Sequence, residues 1–199
     1  MSAYDLIVVG ASWGGLEAVG ALLGALPASF GVPIAVAQHR SSSSSEEGLE
    51  RALGHVSALP VSGVDDKDPI RSPGVYIAPP DYHLLVEHGH FALSVDERVQ
   101  YARPSLDVLF ESAADAYAAR LIGVVLTGGN ADGAAGLSRI RRKGGFTLVQ
   151  DPETADRRAM PDAAIATGAA QRVLAPAAIP SVLLELCRDE PVAGSGGRA

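Results

Sequence analysis

The chain has 199 residues, 47% of them hydrophobic and only 5% aromatic, with 23 acidic against 16 basic side chains and a net charge of −7. This length fits one domain over residues 1–190 with a tail at 191–199, and many Ala and Gly residues with few aromatics favour helices packed closely on a sheet. The acidic balance lacks the basic, aromatic-laced stretch of a nucleic-acid groove, the single Cys187 excludes an internal disulfide, and neither a signal peptide nor a membrane-length apolar run is present, so the expected protein is soluble and cytoplasmic.

In chain order, Leu6-Ile7-Val8-Val9 is a continuous apolar run closed by glycine, the pattern of a strand covered on both faces. Leu16, Val19, Leu22, Leu23 and Leu26 then recur at helical spacing up to Pro27, and Ile34-Ala35-Val36-Ala37 predicts a second buried strand. Ser41 to Ser45 with Glu46 and Glu47 reads as a solvated loop or the start of a helix. Val75-Tyr76-Ile77-Ala78, Leu121 to Leu126, Phe146-Thr147-Leu148-Val149 and Arg172-Val173-Leu174 are further strands, with helical patterns between most of them. That alternation predicts an α/β fold: a doubly wound, mostly parallel sheet with helices on both faces.

Leu84-Leu85-Val86 and Phe91-Ala92-Leu93-Ser94-Val95 flank His88-Gly89-His90 and predict an antiparallel β-hairpin attached to the sheet, at about residues 83–95. Leu106, Leu109, Phe110, Ala113 and Tyr117 mark an amphipathic helix after Pro104. Leu137 and Ile140 mark another that starts near Asp132 and carries Arg139, Arg141, Arg142 and Lys143 in its last turns, where cations are an ordinary structural device. A final helix spans about residues 177–187, and beyond Glu190 the Pro, Gly, Ser and Ala content predicts a disordered tail.

Three turns carry candidate chemistry. Gly10-Ala11-Ser12-Trp13-Gly14 matches G-x-S-x-G between the first strand and the first helix, where small neighbours let a serine stand on a sharp turn above the sheet edge. The Trp13 N–H and the helix N-terminus then face a developing oxyanion. A phosphate-binding Rossmann turn is the competing assignment, but the glycines do not follow G-x-G-x-x-G and the second strand ends in Gln38-His39 rather than an acid. His39 opens into the same crevice and is the candidate general base, against the alternative of a strand-edge histidine. Asp132, in Thr127-Gly128-Gly129-Asn130-Ala131-Asp132-Gly133, is the candidate orienting carboxylate, a role compatible with capping the helix that follows. His83, His88 and His90 suggest a metal site, but the last two occupy a hairpin tip with no supporting acid and read as a solvated turn; no metal or other cofactor is expected.

Together these segments resemble the catalytic domain of the chemotaxis receptor methylesterases, the CheB family. Gly10 to Gly15, Pro33 to His39, Gly74-Val75-Tyr76-Ile77-Ala78-Pro79 with His83-Leu84, Arg103-Pro104-Ser105-Leu106-Asp107-Val108-Leu109-Phe110, Leu126-Thr127-Gly128 with Asp132-Gly133, Gln150-Asp151 and Met160-Pro161 follow in the family's order, from about residue 4 to residue 187. Trp13 stands where the family commonly has a hydroxyl residue, Gly129 where a methionine follows Thr-Gly, Arg40 where a methionine follows the histidine, and Ala159 precedes Met160-Pro161 as a milder departure. The resemblance implies a serine hydrolase that demethylates γ-glutamyl methyl esters on the cytoplasmic helices of methyl-accepting chemotaxis receptors, as some members also deamidate receptor glutamines. Ser12, His39 and Asp132 would form the triad, without direct membrane insertion. The best-known members carry a receiver domain ahead of the first strand, so this chain is expected to be constitutively active or regulated by a separate protein. Two alternatives stay open: an esterase or amidase acting on a protein outside chemotaxis, and a weakly catalytic partner-binding module of the same fold with Trp13 filling the pocket.

Overall fold

A computed structural model describes residues 2–40 and 46–188. The serine run and the tail therefore lie outside the described residues. Strands β1 (Leu6–Ala11), β2 (Ile34–Gln38), β3 (Val61–Gly63), β4 (Val75–Ile77), β7 (Leu121–Val125), β8 (Phe146–Gln150) and β9 (Arg172–Leu174) form one sheet in the order β3-β4-β2-β1-β7-β8-β9, and every neighbouring pair is parallel. On one side of β1 the chain lays down β2, then β3 at the far edge and β4 between them, and it then crosses to β1's other edge with β7. The reversal opens a crevice at the C-terminal ends of β1 and β7, the place where such sheets hold their sites.

Continuous apolarity in β1 has the expected cause, since all six of its residues are buried. Ile7 and Val9 point to one face with helices α1 (Gly15–Gly24), α2 (Glu46–Val56) and α6 (Ile179–Leu186). Leu6 and Val8 point to the other, with α3 (Leu106–Tyr117), α4 (Ala134–Arg142) and α5 (Ala159–Ala166). Leu16, counted above in the apolar face of the first helix, is instead 46% exposed.

The hairpin forms as an antiparallel pair, β5 (His83–Glu87) and β6 (His90–Ser94), turning at Gly89 with φ of 80°. It is not attached to the main sheet by strand pairing: it is a separate two-stranded sheet packed on α3, with Leu84, Val86 and Phe91 buried among Leu109, Phe110 and Ala113. Its link to α3 is also polar, because the Val86 N–H donates to Ser112 Oγ at 3.1 Å and His88 stacks on Tyr117. Strand β3 has no counterpart in the sequence expectations. Its three residues are half-buried or exposed at the sheet edge and are held by pairing with β4, so they carry no apolar signature.

Candidate active site

The turn after β1 is clamped from both neighbouring strands. The Ser12 N–H donates to Thr127 C=O at 2.9 Å, and the His39 N–H donates to Ala11 C=O at 3.0 Å. Parallel register carries Ala11 opposite Gln38, so Ser12 and His39 are next neighbours across the strand ends. The Gly15 N–H donates back to Ser12 C=O at 2.9 Å, which closes the turn into α1. Gly14 supplies its left-handed residue, at φ of 76°, and any side chain there would run into Asp156. Gly15 permits the close approach of helix to strand, because a Cβ there would lie 2.8 Å from the Ala11 side chain.

His39 and Asp132 meet directly: Nε2 lies 2.7 Å from Oδ2, with the imidazole 13% exposed and the carboxylate fully buried. With Nε2 donating to the carboxylate, Nδ1 is left with the lone pair that a general base needs. The nitrogens are thus used in the reverse of the chymotrypsin arrangement.

Asp132 does not cap the helix that follows it. Gly133 is the N-cap of α4, at φ of 93°, and makes no side-chain cap. The carboxylate instead accepts the backbone N–H groups that open α3, from Leu106 at 2.8 Å and Asp107 at 3.0 Å, and the Ser105 hydroxyl at 2.9 Å. Burial pushes its pKa up, but the hydrogen bonds from His39 and from the α3 amides outweigh that and hold it below the ordinary carboxylate value. A charge fixed in this way orients the ring and favours an imidazolium.

The sequence offers Ser105 and Asp107 only within the family resemblance, and His83 there and as a metal candidate; support of the site is expected of none of them. Ser105 caps α3, accepting from the Val108 N–H, while its own N–H donates to His83 Nδ1 at 3.2 Å. His83 is 1% exposed and bonds through Nε2 to Glu97 C=O at 3.0 Å, so it is a buried strut between β5 and the start of α3. His90 pairs with Glu87 at 2.8 Å on the hairpin. Asp107 accepts from the Gly136 N–H at 2.7 Å and from Gln100 Nε2 at 3.0 Å. Burial first, and then the Asp132 charge, push its pKa up to about 6. A serine after Pro104 at the start of an amphipathic run was the available signal for the cap, but nothing local identified its partner in Asp132.

On the other side of Ser12, Thr127 Oγ1 donates to Trp13 C=O at 2.9 Å, and the Thr127 N–H is held by Gln150 Oε1 at 2.9 Å. Trp13 is 66% exposed and its ring lies 5.3 Å from the Arg157 guanidinium carbon. The indole therefore lies against Arg157 and largely in solvent. On the β2 side, a cleft of about 330 Å³ opens beside His39 and Asn130.

The sequence model of the CheB methylesterase family matches residues 7–183. The chain is 43% identical over 184 residues to a Leptospira interrogans protein provisionally named protein-glutamate methylesterase/protein-glutamine glutaminase, covering 92% of this chain and 95% of that protein. It is 40% identical, over 92% of its length, to the protein-glutamate methylesterase FrzG of Myxococcus xanthus, of which it spans 54%. The crystal structure of the Thermotoga maritima CheB methylesterase catalytic domain matches with a TM-score of 0.88 at 32% identity, over 92% of this chain and 98% of that one.

Proposed function

The chain belongs to the CheB methylesterase family, and from that premise we propose that it hydrolyses γ-glutamyl methyl esters on the helical cytoplasmic region of methyl-accepting chemoreceptors and releases methanol. The observation that carries the assignment of roles is the 2.7 Å bond between His39 Nε2 and the buried Asp132 carboxylate, one strand end away from Ser12.

In this reading Ser12 Oγ attacks the ester carbonyl as His39 Nδ1 takes its proton, and the backbone N–H groups of Trp13 and Gly129 receive the oxyanion. The imidazolium returns the proton to the departing methoxide, and methanol leaves an acyl-serine. Water then enters, gives its proton to Nδ1 and attacks the acyl carbon, which frees the glutamate carboxylate and restores Ser12. Asp132 stays ionised throughout and fixes the ring by its hold on Nε2. The same cycle on a glutamine amide releases ammonia, an activity supported by the paired name of the Leptospira relative.

Receptor cytoplasmic fragments carrying radiolabelled methyl esters test the proposal. Volatile methanol is expected with the wild-type chain and not with Ser12→Ala. Release that persists in Ser12→Ala removes the serine mechanism, and no release by the wild-type chain removes the substrate.

A further inference from the structure

Among the described residues, the cleft beside His39 is lined by the guanidinium-bearing side chains of Arg40, Arg98 and Arg103 and by no carboxylate, in a chain whose net charge is −7. The bond-breaking cycle above has no use for them, since the scissile ester or amide is uncharged. We infer that this cleft takes a carboxylate side chain flanking the scissile residue, so that the enzyme selects glutamyl esters set in acidic helical segments; this rests on the methylesterase reading and names the sequence context that it accepts.

The guanidinium groups are held in place before any ligand arrives. Arg40 Nη2 donates to Ala78 C=O at 2.8 Å, and Arg103 donates to Val95 and Asp96 carbonyls at 2.7 and 2.9 Å. Arg98 and Arg103 share one oxygen of Asp81, at 3.0 and 2.9 Å, and Asp81 does not line the cleft. One carboxylate shared between two arginines leaves positive charge over. Arg98 has the most freedom to use it: its side chain is 52% exposed, against 17% for Arg103. A planar guanidinium with donors to spare is suited to a carboxylate from another protein.

The backbone next to Arg98 is shaped for contact as well. Val99 and Ala102 exchange backbone hydrogen bonds around Gln100 and Tyr101, which both sit at positive φ, 48° and 66°. Such a turn ordinarily takes Asn and Gly, so two bulky residues hold it at a cost in backbone energy. Gln100 anchors it to Asp107, and Tyr101 at the tip is 95% exposed. An exposed aromatic beside arginines is a composition enriched where proteins contact one another. On a helical substrate, residues three or four positions from the scissile glutamate lie on its face, about 5–6 Å away, and the cleft includes His39, the proposed base, so a flanking carboxylate is the group we assign to it.

The test uses the Ser12→Ala chain, which holds substrate without turnover, and a pair of fluorescent helical peptides. Each carries one γ-methyl glutamyl residue, flanked one turn away on both sides by glutamates in the first peptide and by glutamines in the second. Anisotropy at low salt should show the acidic peptide bound on the order of tenfold more tightly, with the advantage shrinking as salt rises. Adding Arg98→Gln should cut the preference to about threefold or less. Equal affinity for the two peptides, or preference for the neutral one, overturns the inference without any variant being needed. Methanol release from both peptides by the wild-type chain at equal kcat/KM would likewise overturn it while leaving the esterase reading intact.

Discussion

Asp132 concentrates four hydrogen-bond donors on one buried carboxylate: the His39 ring, the Ser105 hydroxyl and two α3 amides. Asp132→Ala orphans all of them and should cost about 3–5 kcal/mol of stability in denaturant unfolding. Asp132→Asn keeps the shape and should mainly reduce turnover, by roughly 10³- to 10⁴-fold, against 10⁴-fold or more for Ser12→Ala or His39→Ala. Near wild-type methanol release from any of these variants would remove that residue from the catalytic set. Asp107 makes the opposite demand on pH. Its carboxyl is raised to about 6 from 3.8, so the fold binds this proton more tightly than the unfolded chain does. The resulting stability is complete below about pH 4 and is lost as pH rises through about 6. Urea unfolding should therefore show the wild-type chain losing stability relative to Asp107→Asn across that window, with parallel behaviour above pH 7. Parallel curves throughout would mean that the buried carboxyl does not titrate there.

At the scale of elements, the site is made by the ends of three strands and the start of a helix that follows none of them directly. The nucleophile turn and the β7 turn could be read locally, because a buried run stopping at Gly-rich sequence before a helix has one simple geometry. The start of α3 could not, since its amides find their acceptor 25 and 26 residues away in the chain. Its position depends on α4, which it meets at Gly136: a Cβ there would lie 2.5 Å from Phe110 Cβ and 3.2 Å from Asp107 Cα. Gly136→Val should push the two helices apart, cost about 1–3 kcal/mol, and lower kcat more than it raises KM, because the carboxylate moves with α3. Thermal unfolding together with steady-state kinetics would check both halves of that expectation. The arginines at the end of α4 needed no tertiary insight, and Arg139 and Lys143 do pair there with Asp115.

Across the molecule, the sheet divides the core into two faces, and only one of them supports the carboxylate. Leu183 lies with α1 and α6, and Phe110 lies with α3 and α4; both are fully buried. Leu183→Ala and Phe110→Ala should each cost several kcal/mol, about 2–5 in size. Only Phe110→Ala should lower the kcat of the folded protein, and equal kcat in the two variants would show that α3 packing does not reach the site. The sequence by itself determined the parallel α/β architecture, the long central strands, the hairpin and the three turns that hold Ser12, His39 and Asp132. These rest on apolar periodicity and glycine placement within a few residues, and such short-range patterns leave the backbone few choices. Tertiary structure alone decided the rest: the three-residue edge strand β3, the detachment of the hairpin onto α3, the choice of Nε2 for the carboxylate, and the convergence of Arg40, Arg98 and Arg103 on one cleft. Each of these is fixed by partners far away in the chain, and a pairing that is bought by burial and distant hydrogen bonds leaves no trace in local composition.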